Sequence, residues 1–498
     1  RGVECLHGSS EIGLAHQPDE GRRPDPARPT VGIVFYRAHE LAGNTGFVDA
    51  LAAAVERSGG NALPVYCGSL RAEGVDPGLL ALLGDCDALV VTVLAAGGTV
   101  AADASAGGSD DAWDVGALAA LDIPVLQGLC LTSSRAAWCA SDAAISPIDA
   151  AMQVAVPEFD GRLITVPFSF KEADGDGIAV YVADPERCDR VAGIAVRHAA
   201  LRAVPVDQRR IALVLSSYPT KHARIGNAVG LDTPASAVRL LAAMAAAGYQ
   251  VRDVPDDPDA LIHTLIAAGG HDVEWLTDEQ LAAAPARVPL ASYRRWFAAL
   301  PAPLREQLRT HWGEPPGQLY VDGDDIVLAS LVLGNVILMI QPPRGFGENP
   351  VAIYHDPQLP PSHHYLAAYR WLAEPVASGG FGAHAVVHLG KHGTLEWLPG
   401  NGLGLGAGCA PDSVLGDLPL VYPFIVNDPG EGTQAKRRAH ATIVDHMVPP
   451  MARAETYGDL ARLEQLLDEY ASVAALDPAK LPTVRAQVWE LVRAAQLH

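Results

Sequence analysis

Three histidines and a glutamate recur at intervals of four residues in one short stretch of this 498-residue sequence. His384, His388, His392 and Glu396 bring imidazole and carboxylate groups together within a few turns of chain. Both groups bind borderline divalent metals, and imidazole also exchanges protons near neutral pH. The stretch therefore predicts a metal site or a proton-transfer site, and spacing alone does not choose between them.

The residues around this cluster favour a strand followed by a loop. A helix would stack all four side chains on one face, because residues four apart are neighbours on a helical surface. However, two β-branched valines lie before His388, and glycines interrupt the residues after it. We predict a buried strand over residues 383–389 and a loop over residues 390–400. Alternation along the strand places His384 and His388 on one face, and the loop carries the other two side chains.

Three sequence blocks carry a family resemblance. Residues 388–400 (HLGKHGTLEWLPG) closely resemble the signature of the large subunit of aerobic cobaltochelatase (CobN), which shares a family with the large subunit of magnesium chelatase. Residues 422–438 (YPFIVNDPGEGTQAKRR) match the same family nearly word for word, and residues 224–236 (RIGNAVGLDTPAS) are also similar to it. Lys391 and Trp397 look like the cobalt branch rather than the magnesium branch.

The resemblance implies a subunit that inserts Co²⁺ into hydrogenobyrinic acid a,c-diamide during aerobic cobalamin biosynthesis. It also implies two partners: an AAA+ ATPase subunit, which would use ATP-Mg²⁺, and a subunit with an integrin-like domain. Members of this family are much longer, so the chain resembles a middle portion of one. Two other interpretations stay open. One is a magnesium chelatase large subunit acting on protoporphyrin IX, and the other is a non-catalytic fragment that binds the macrocycle or docks the motor. A metal-dependent hydrolase is a weaker third.

Metal insertion makes chemical demands that the cluster can meet. The metal needs few and exchangeable ligands, and imidazole with carboxylate suits this better than thiolate. The inner nitrogens of the macrocycle must lose protons, so a carboxylate or neutral imidazole should accept them. We assign His388 and His392 to metal binding and Glu396 to metal binding and proton acceptance. The carboxylate and amide rim of the substrate needs charged and polar donors, for which the candidates are Asn427, Glu431, Lys436 and Arg437. The alternative for the last two is a solvated helix face.

Composition excludes several other classes of function. The formal net charge of −22 argues against a general nucleic-acid or anionic-membrane surface. The seven cysteines never form a C-x-x-C pair, which favours free thiols in a cytoplasmic protein. The longest apolar run is too short to span a membrane and contains Gly334 and Asn335. No G-x-x-x-x-G-K-[ST] loop and no H-E-x-x-H motif are present. ATP is therefore not expected to bind this chain through a P-loop, and a zincin-type protease is disfavoured.

Short apolar strands alternate with helical segments, which is typical of doubly wound parallel sheets. Among them we predict strands over residues 163–168, 325–333 and 336–341, the last two as a hairpin around Gly334. We also predict a helix capped by Thr233, a helix that starts at Thr433 and an amphipathic helix over residues 362–376. We predict a multidomain α/β fold with helical insertions and a helical C-terminal segment. The predicted divisions are a Pro-rich linker (1–30), a flavodoxin-like α/β domain (31–155), a second α/β unit (156–256), a helical insertion (257–320), an α/β core with the signature loops (321–446) and a helical segment (447–498).

Weaker candidates complete the set. The glycine loop at 226–230 resembles an anion cradle, and the alternative is an ordinary strand-to-helix connection. The loop after the first strand carries polar residues, and two histidines lie where the family pattern has histidine. These residues are Arg37, His39, Asn44, His355 and His363. Alternating glycines over residues 400–408 predict a backbone close to something bulky.

Overall fold

The computed structural model describes most of the chain, in segments separated by gaps. The described residues are 12–14, 24–70, 76–94, 116–141, 145–217, 225–228, 230–273, 275–345, 356–390, 393–425, 429–446 and 459–494. His392, Asn427 and His355 lie outside them, as does most of the predicted linker.

Seven strands form the first sheet, in the order β1-β3-β2-β4-β5-β6-β7. The strands are β1 (Ile12–Leu14), β2 (Thr30–Tyr36), β3 (Asn61–Cys67), β4 (Ala88–Val91), β5 (Val125–Leu131), β6 (Leu163–Ala173) and β7 (Ala179–Ala183). Strands β2 to β6 are parallel, while β1 and β7 are antiparallel edges. Counted along the chain, the parallel strands have the order 2-1-3-4-5, which is the flavodoxin order.

Helices cover both faces of this sheet. They are Arg37–Leu41, Gly46–Arg57, Pro77–Leu83, Gly116–Ala119, Arg135–Ala140, Pro147–Asp149, Val156–Phe159 and Pro185–Ala203, with a π-helical turn at Ala150–Ala155. The helix Pro185–Ala203 is capped by the Asp184 carboxylate, which accepts from the Arg187 amide. It packs on the helix Gly46–Arg57 and on the sheet, so the first core lies on both faces of β2, β4 and β5.

The α/β unit built around the first sheet, which we call the first unit, extends beyond the predicted domain at residues 31–155. Residues 156–256 were assigned to a second unit, but β6 and β7 pair into the first sheet and the helix Pro185–Ala203 packs against it. The apolar pattern identified the strand at 163 correctly and could not show which sheet it joins. The division between the two sheets instead falls between that helix and the next strand.

The second sheet repeats the parallel order of the first. Its strands are β8 (Ile211–Leu215), β12 (Ser330–Leu333), β13 (Val336–Ile340), β14 (Ala385–Leu389), β15 (Leu420–Ile425) and β16 (Thr442–His446). They lie in the order β12-β13-β8-β14-β15-β16, and β12 alone is antiparallel. The five parallel strands again have the order 2-1-3-4-5 along the chain, so the α/β class with parallel, doubly wound sheets is confirmed.

A third, small sheet interrupts the predicted helical insertion. It consists of β9 (Ala286–Val288), β10 (Val321–Asp322) and β11 (Asp325–Leu328) in the order β10-β11-β9. The sequence predicted one strand over residues 325–333. In the structure β11 ends before Ala329, and the chain continues after it as β12 in the second sheet. The predicted hairpin around Gly334 is correct, because β12 and β13 pair antiparallel across it.

We call the part of the chain built around the second sheet the second unit. Its helices include the predicted ones, with shifted ends. They are Thr233–Ala246, Pro258–Ala267, Asp278–Ala283, Leu290–Ala299, Ala302–Trp312, His363–Ala373, Ala410–Leu415 and Pro429–Ala439. Asp232, rather than the predicted Thr233, caps the first of these. The last begins at Pro429, four residues before the predicted start at Thr433. The predicted helical C-terminal segment is confirmed as the pair Asp459–Leu476 and Leu481–Ala494.

Buried ion pairs join the two units. Arg187 of the long helix in the first unit donates to Asp412 of the second at 3.1 Å, and both side chains are almost fully buried. Arg190 bonds to Asp412 and to Asp417. The burial makes these contacts costly to break, since a lone charge would remain in a dry environment. Among the described residues, no helix is long and apolar enough to cross a bilayer.

Candidate functional site

The candidate site lies at the carboxyl edge of the second sheet. Ser216 follows β8, Gln341 follows β13 and Gly390 follows β14, so three neighbouring strands end side by side. Ligands of open α/β sheets bind outside this edge. The signature loop after β14 and the helix Pro429–Ala439 after β15 both begin here.

His388 is the penultimate residue of β14 and is enclosed by aromatic rings. Its Nε2 shares a hydrogen bond of 2.8 Å with the Tyr369 hydroxyl, and its ring stands edge-on to Tyr422 with centroids 4.9 Å apart. It is 2% exposed. On its other side lies Gly393, where an added Cβ would come within 2.3 Å of Nδ1. Only a glycine allows the loop to approach the imidazole this closely.

Glu396 is fully buried in a 3₁₀ turn at Leu395–Trp397. The Tyr422 hydroxyl donates to its Oε2 at 2.8 Å. Burial, followed by the nearby Glu396 charge, raises the pKa of Tyr422 well above its ordinary value, so the phenol keeps the proton that it donates. A hydrogen bond to a charged group contributes more than one between neutral groups. The turn therefore holds its carboxylate facing inward.

Two further tyrosines complete a buried layer under the loop. Tyr365 and Tyr369 are one helical turn apart and stack with centroids 5.2 Å apart. The Tyr365 hydroxyl and Thr394 Oγ1 are 2.8 Å apart, and Gln341 Nε2 donates to the same threonine oxygen at 2.8 Å. Burial raises the pKa of both tyrosines. We call Tyr365, Tyr369 and Tyr422 the tyrosine layer.

Arg438 ties the signature loop to the next helix. Its guanidinium donates to the backbone carbonyls of Glu396, Leu398 and Asn401, the last two at 2.8 and 3.0 Å. The residue is 5% exposed. Burial lowers its pKa, but arginine starts so far above neutrality that it remains a cation. A planar fork with several donors is suited to holding three separate carbonyls.

The predicted rim residues are not all directed at the loop. Arg437 forms a two-pronged ion pair with Glu158 of the first unit, with distances of 3.0 and 2.8 Å. Lys436 lines a separate cleft of about 380 Å³ beside residues 161–163. Glu431 is half-buried in the first turn of the same helix. The solvated helix face that was the alternative does not describe Arg437, because this residue pairs with the first unit.

The structure brings His388 and Glu396 into one buried layer, while His392 and Asn427 lie outside the described residues. Within the described ranges, no three histidine, cysteine, aspartate or glutamate side chains converge to hold a metal ion. The arrangement of His388 and Glu396 is suited to holding protons and orienting the loop. Both side chains are closed to solvent, so a metal would reach them only if the surrounding residues moved.

Other predicted candidates have structural roles. His384 lies at the opposite end of β14, where its Nδ1 accepts from the Arg210 amide at 2.9 Å. His363 bonds to the Tyr293 hydroxyl through Nδ1 and to the Gly313 carbonyl through Nε2. Both rings are therefore committed to the backbone or to a core tyrosine.

The first-strand loop and the glycine run are also structural. The His39 ring packs edge-on against Phe47, with centroids 5.2 Å apart, and Asn44 Oδ1 accepts from the Tyr181 amide at 3.1 Å. In the glycine run, the Gly404 carbonyl accepts from the indole of Trp138 at 3.1 Å. The bulky neighbour that the glycines predicted is thus part of the first unit.

The sequence analysis missed the tyrosine layer and the role of Arg438. One signal was available: Tyr365 and Tyr369 are four apart on a predicted amphipathic helix. Nothing local indicates that Tyr422 reaches Glu396, which precedes it by 26 residues.

Comparison with known proteins gives consistent matches over nearly the whole chain. The profile of the family described as CobN/Magnesium Chelatase matches residues 9–498. The chain is 40% identical over 472 residues to the aerobic cobaltochelatase subunit CobN of Pseudomonas aeruginosa, covering 94% of this chain and 36% of that protein. It is 30% identical over 501 residues to a magnesium-chelatase subunit of Rhodobacter capsulatus, covering 94% of this chain and 40% of that protein.

A solved structure is similar in both sequence and fold. The catalytic subunit of cobaltochelatase from Mycobacterium tuberculosis superposes with a TM-score of 0.82 at 63% identity, covering 98% of this chain and 40% of that one. The chain therefore spans between 36% and 40% of the length of these three relatives.

Proposed function

This chain belongs to the CobN/magnesium chelatase family, and from that membership we propose that it forms the tetrapyrrole-binding part of a cobaltochelatase large subunit. The reaction that we assign is ATP-dependent insertion of Co²⁺ into hydrogenobyrinic acid a,c-diamide in aerobic cobalamin biosynthesis. The metal is a substrate of this reaction. Higher identity to the cobaltochelatase subunit than to the magnesium-chelatase subunit favours cobalt.

The observation that carries the proposal is the buried acid and base under the signature loop. His388 and Glu396 lie at the carboxyl edge of a doubly wound sheet, each hydrogen-bonded to the tyrosine layer. Core packing alone does not require a carboxylate that is fully buried, because burying charge is costly. A site that must take protons from a macrocycle does require one.

We assign proton acceptance to Glu396 and metal delivery to His388 and His392. In the described arrangement Glu396 and His388 are covered by the loop, so macrocycle binding must displace residues 393–400. We therefore expect amide hydrogen exchange across these residues to rise when the macrocycle binds. Asn427, Glu431, Lys436 and Arg437 remain our candidates for the substrate rim. Arg437 would have to release Glu158 to take part.

We assign ATP hydrolysis to partners rather than to this chain. The sequence contains no P-loop, and the relatives are named as subunits of chelatases. An AAA+ ATPase subunit and a subunit with an integrin-like domain would supply the energy, and this chain would supply the tetrapyrrole site.

A spectroscopic titration with two macrocycles tests the assignment. We expect hydrogenobyrinic acid a,c-diamide to bind tightly and protoporphyrin IX weakly or not at all. Preference for protoporphyrin IX would move the assignment to magnesium chelatase. Binding of neither would refute a complete macrocycle site within these residues.

The second candidate is a non-catalytic fragment that binds the macrocycle or docks the motor. It is favoured by the 36% to 40% share of the relatives that this chain covers. The two candidates differ in one measurement: metal insertion by this chain with the ATPase partners supports the first, and binding without insertion supports the second.

A further inference from the structure

A buried hydroxyl at the edge of the second sheet has no assigned role. Ser216 follows β8 directly and is 9% exposed. Among the residues that the structure describes, its Oγ has no hydrogen-bond partner. Taking a hydroxyl out of water without a partner costs free energy, so a group of this kind requires an explanation.

The position of Ser216 in the fold indicates a ligand. The chain leaves β8 to form β13 on one side of it and then crosses to form β14 on the other. The crevice outside β8 and β14 is therefore the point where the strand order reverses, which is where doubly wound sheets bind ligands. Backbone hydrogen bonds fix Ser216 there, because its amide donates to the Leu389 carbonyl at 3.0 Å.

Gly390, which follows the neighbouring strand β14, lies directly beside this hydroxyl. A Cβ at Gly390 would lie 1.8 Å from Ser216 Oγ, and the glycine has a φ of +153°. Any side chain here would displace the hydroxyl, and residues other than glycine rarely adopt this backbone conformation. Serine and glycine therefore form one arrangement, in which a backbone without a side chain lies beside a polar atom.

Strand alternation places Ser216 on the same face as the candidate site. Ala212 and Val214 of β8 belong to the same core cluster as Val386 of β14. Ser216 continues the row of Ala212 and Val214, and His388 continues the row of Val386. The register pairs Val214 with His388. Ser216 therefore lies two residues beyond the partner of His388, on the same face.

We propose that Ser216 is a substrate-binding residue, whose O–H donates to a carboxylate or carboxamide oxygen on the rim of the tetrapyrrole. This inference rests on the proposed function and adds a residue that the sequence did not select. A hydroxyl can donate to both kinds of oxygen, which suits a macrocycle whose rim carries acids and amides together. Gly390 would let that rim approach the backbone.

Ser216→Ala separates binding from stability. If the hydroxyl serves only the ligand, its removal leaves the urea midpoint unchanged or higher, because a buried group without a partner disappears. The dissociation constant for hydrogenobyrinic acid a,c-diamide should rise about tenfold, as expected for one lost hydrogen bond to a charged or strongly polar oxygen.

Ser330→Ala is the matched control. Ser330 is fully buried on β12, and its hydroxyl donates to the Leu328 carbonyl at 3.2 Å. This variant should lower the urea midpoint and leave macrocycle binding unchanged.

The outcomes distinguish this inference from the proposed function. If wild type binds neither hydrogenobyrinic acid a,c-diamide nor protoporphyrin IX, the proposed function fails. If wild type binds and Ser216→Ala binds equally well, the serine assignment fails alone. A lower urea midpoint with unchanged affinity would show that Ser216 is structural, and it would also overturn the assignment.

Discussion

Two buried histidines should make this protein sensitive to mild acid. His440 donates through Nε2 to the Leu418 carbonyl at 2.9 Å, and His364 donates to the Val327 carbonyl at 3.0 Å. Burial lowers the pKa of His440 to about 3, with a further lowering from the neighbouring His198. Burial lowers the pKa of His364 to about 4. Both rings are therefore neutral in the folded protein.

The cost in acid follows from the difference between folded and unfolded chains. An unfolded imidazole has a pKa of about 6.5 and takes up a proton below that value, while the buried rings do not. The free energy of unfolding therefore contains the full contribution of these rings above about pH 6.5, and this contribution falls as the pH drops towards the folded pKa values. Each ring costs about 1.4 kcal/mol per pH unit in this window, or about 2 kcal/mol between pH 7.5 and 5. Together the two cost about 4 kcal/mol.

Urea unfolding at pH 7.5, 6.5, 5.5 and 5 measures this slope. The variant His440→Asn is suitable because position 440 has a φ of +39°, which asparagine tolerates. Its unfolding free energy should depend on pH less steeply, by about 1.4 kcal/mol per pH unit below pH 6. His263→Asn, at an exposed histidine, should keep the wild-type slope.

An unchanged slope in His440→Asn would refute the reasoning, since it would mean that the ring titrates in the folded state. An equal flattening of the pH dependence in His263→Asn would also refute it, because the slope would then not be specific to a buried imidazole.

Three further perturbations test the candidate site. Glu396→Gln should leave macrocycle binding within about twofold and reduce metal insertion by at least about a hundredfold, as expected for losing one acid–base group. The control Glu306→Gln, at an exposed residue, should change neither binding nor insertion. Full insertion by Glu396→Gln would refute the proton-acceptor role. Gly393→Ala should destabilise the fold by about 1–3 kcal/mol, because its Cβ has no room above the buried imidazole. Gly402→Ala, with open space around it, should be neutral in the same urea experiment, and equal effects would contradict the close approach. Arg438→Lys should cost about 1–3 kcal/mol, because the three carbonyls are contacted by three separate guanidinium nitrogens and one compact ammonium cannot reach all of them. Faster amide exchange over residues 393–401 should accompany the loss, and wild-type protection would refute it.

Local patterns predicted the strand and loop that carry the site. The valines before His388 and the glycines after it were sufficient to predict β14 and the turn away from it. Glu396 and His388 were identified as candidates because their residue types are uncommon in so short a stretch.

Long-range pairing could not be predicted in the same way. Two sets of hydrogen bonds join segments that are distant in sequence: the bond from Tyr422 to Glu396 and the bonds from Arg438 to the carbonyls of the loop. The apolar run at 325–333 has one continuous pattern, yet it crosses from one sheet to another at Ala329. Periodicity reports which residues are buried, and it does not report the partner strand.

The most direct test of the central claim is metal insertion by the assembled chelatase. This chain would be combined with the ATPase subunits that we propose as partners, either Co²⁺ or Mg²⁺, and either hydrogenobyrinic acid a,c-diamide or protoporphyrin IX. The metallated product would be followed by absorbance. We predict cobalt insertion into the corrin precursor that depends on ATP and is reduced at least about a hundredfold in Glu396→Gln. Insertion of magnesium into protoporphyrin IX, or cobalt insertion that is unaffected by Glu396→Gln, would contradict it.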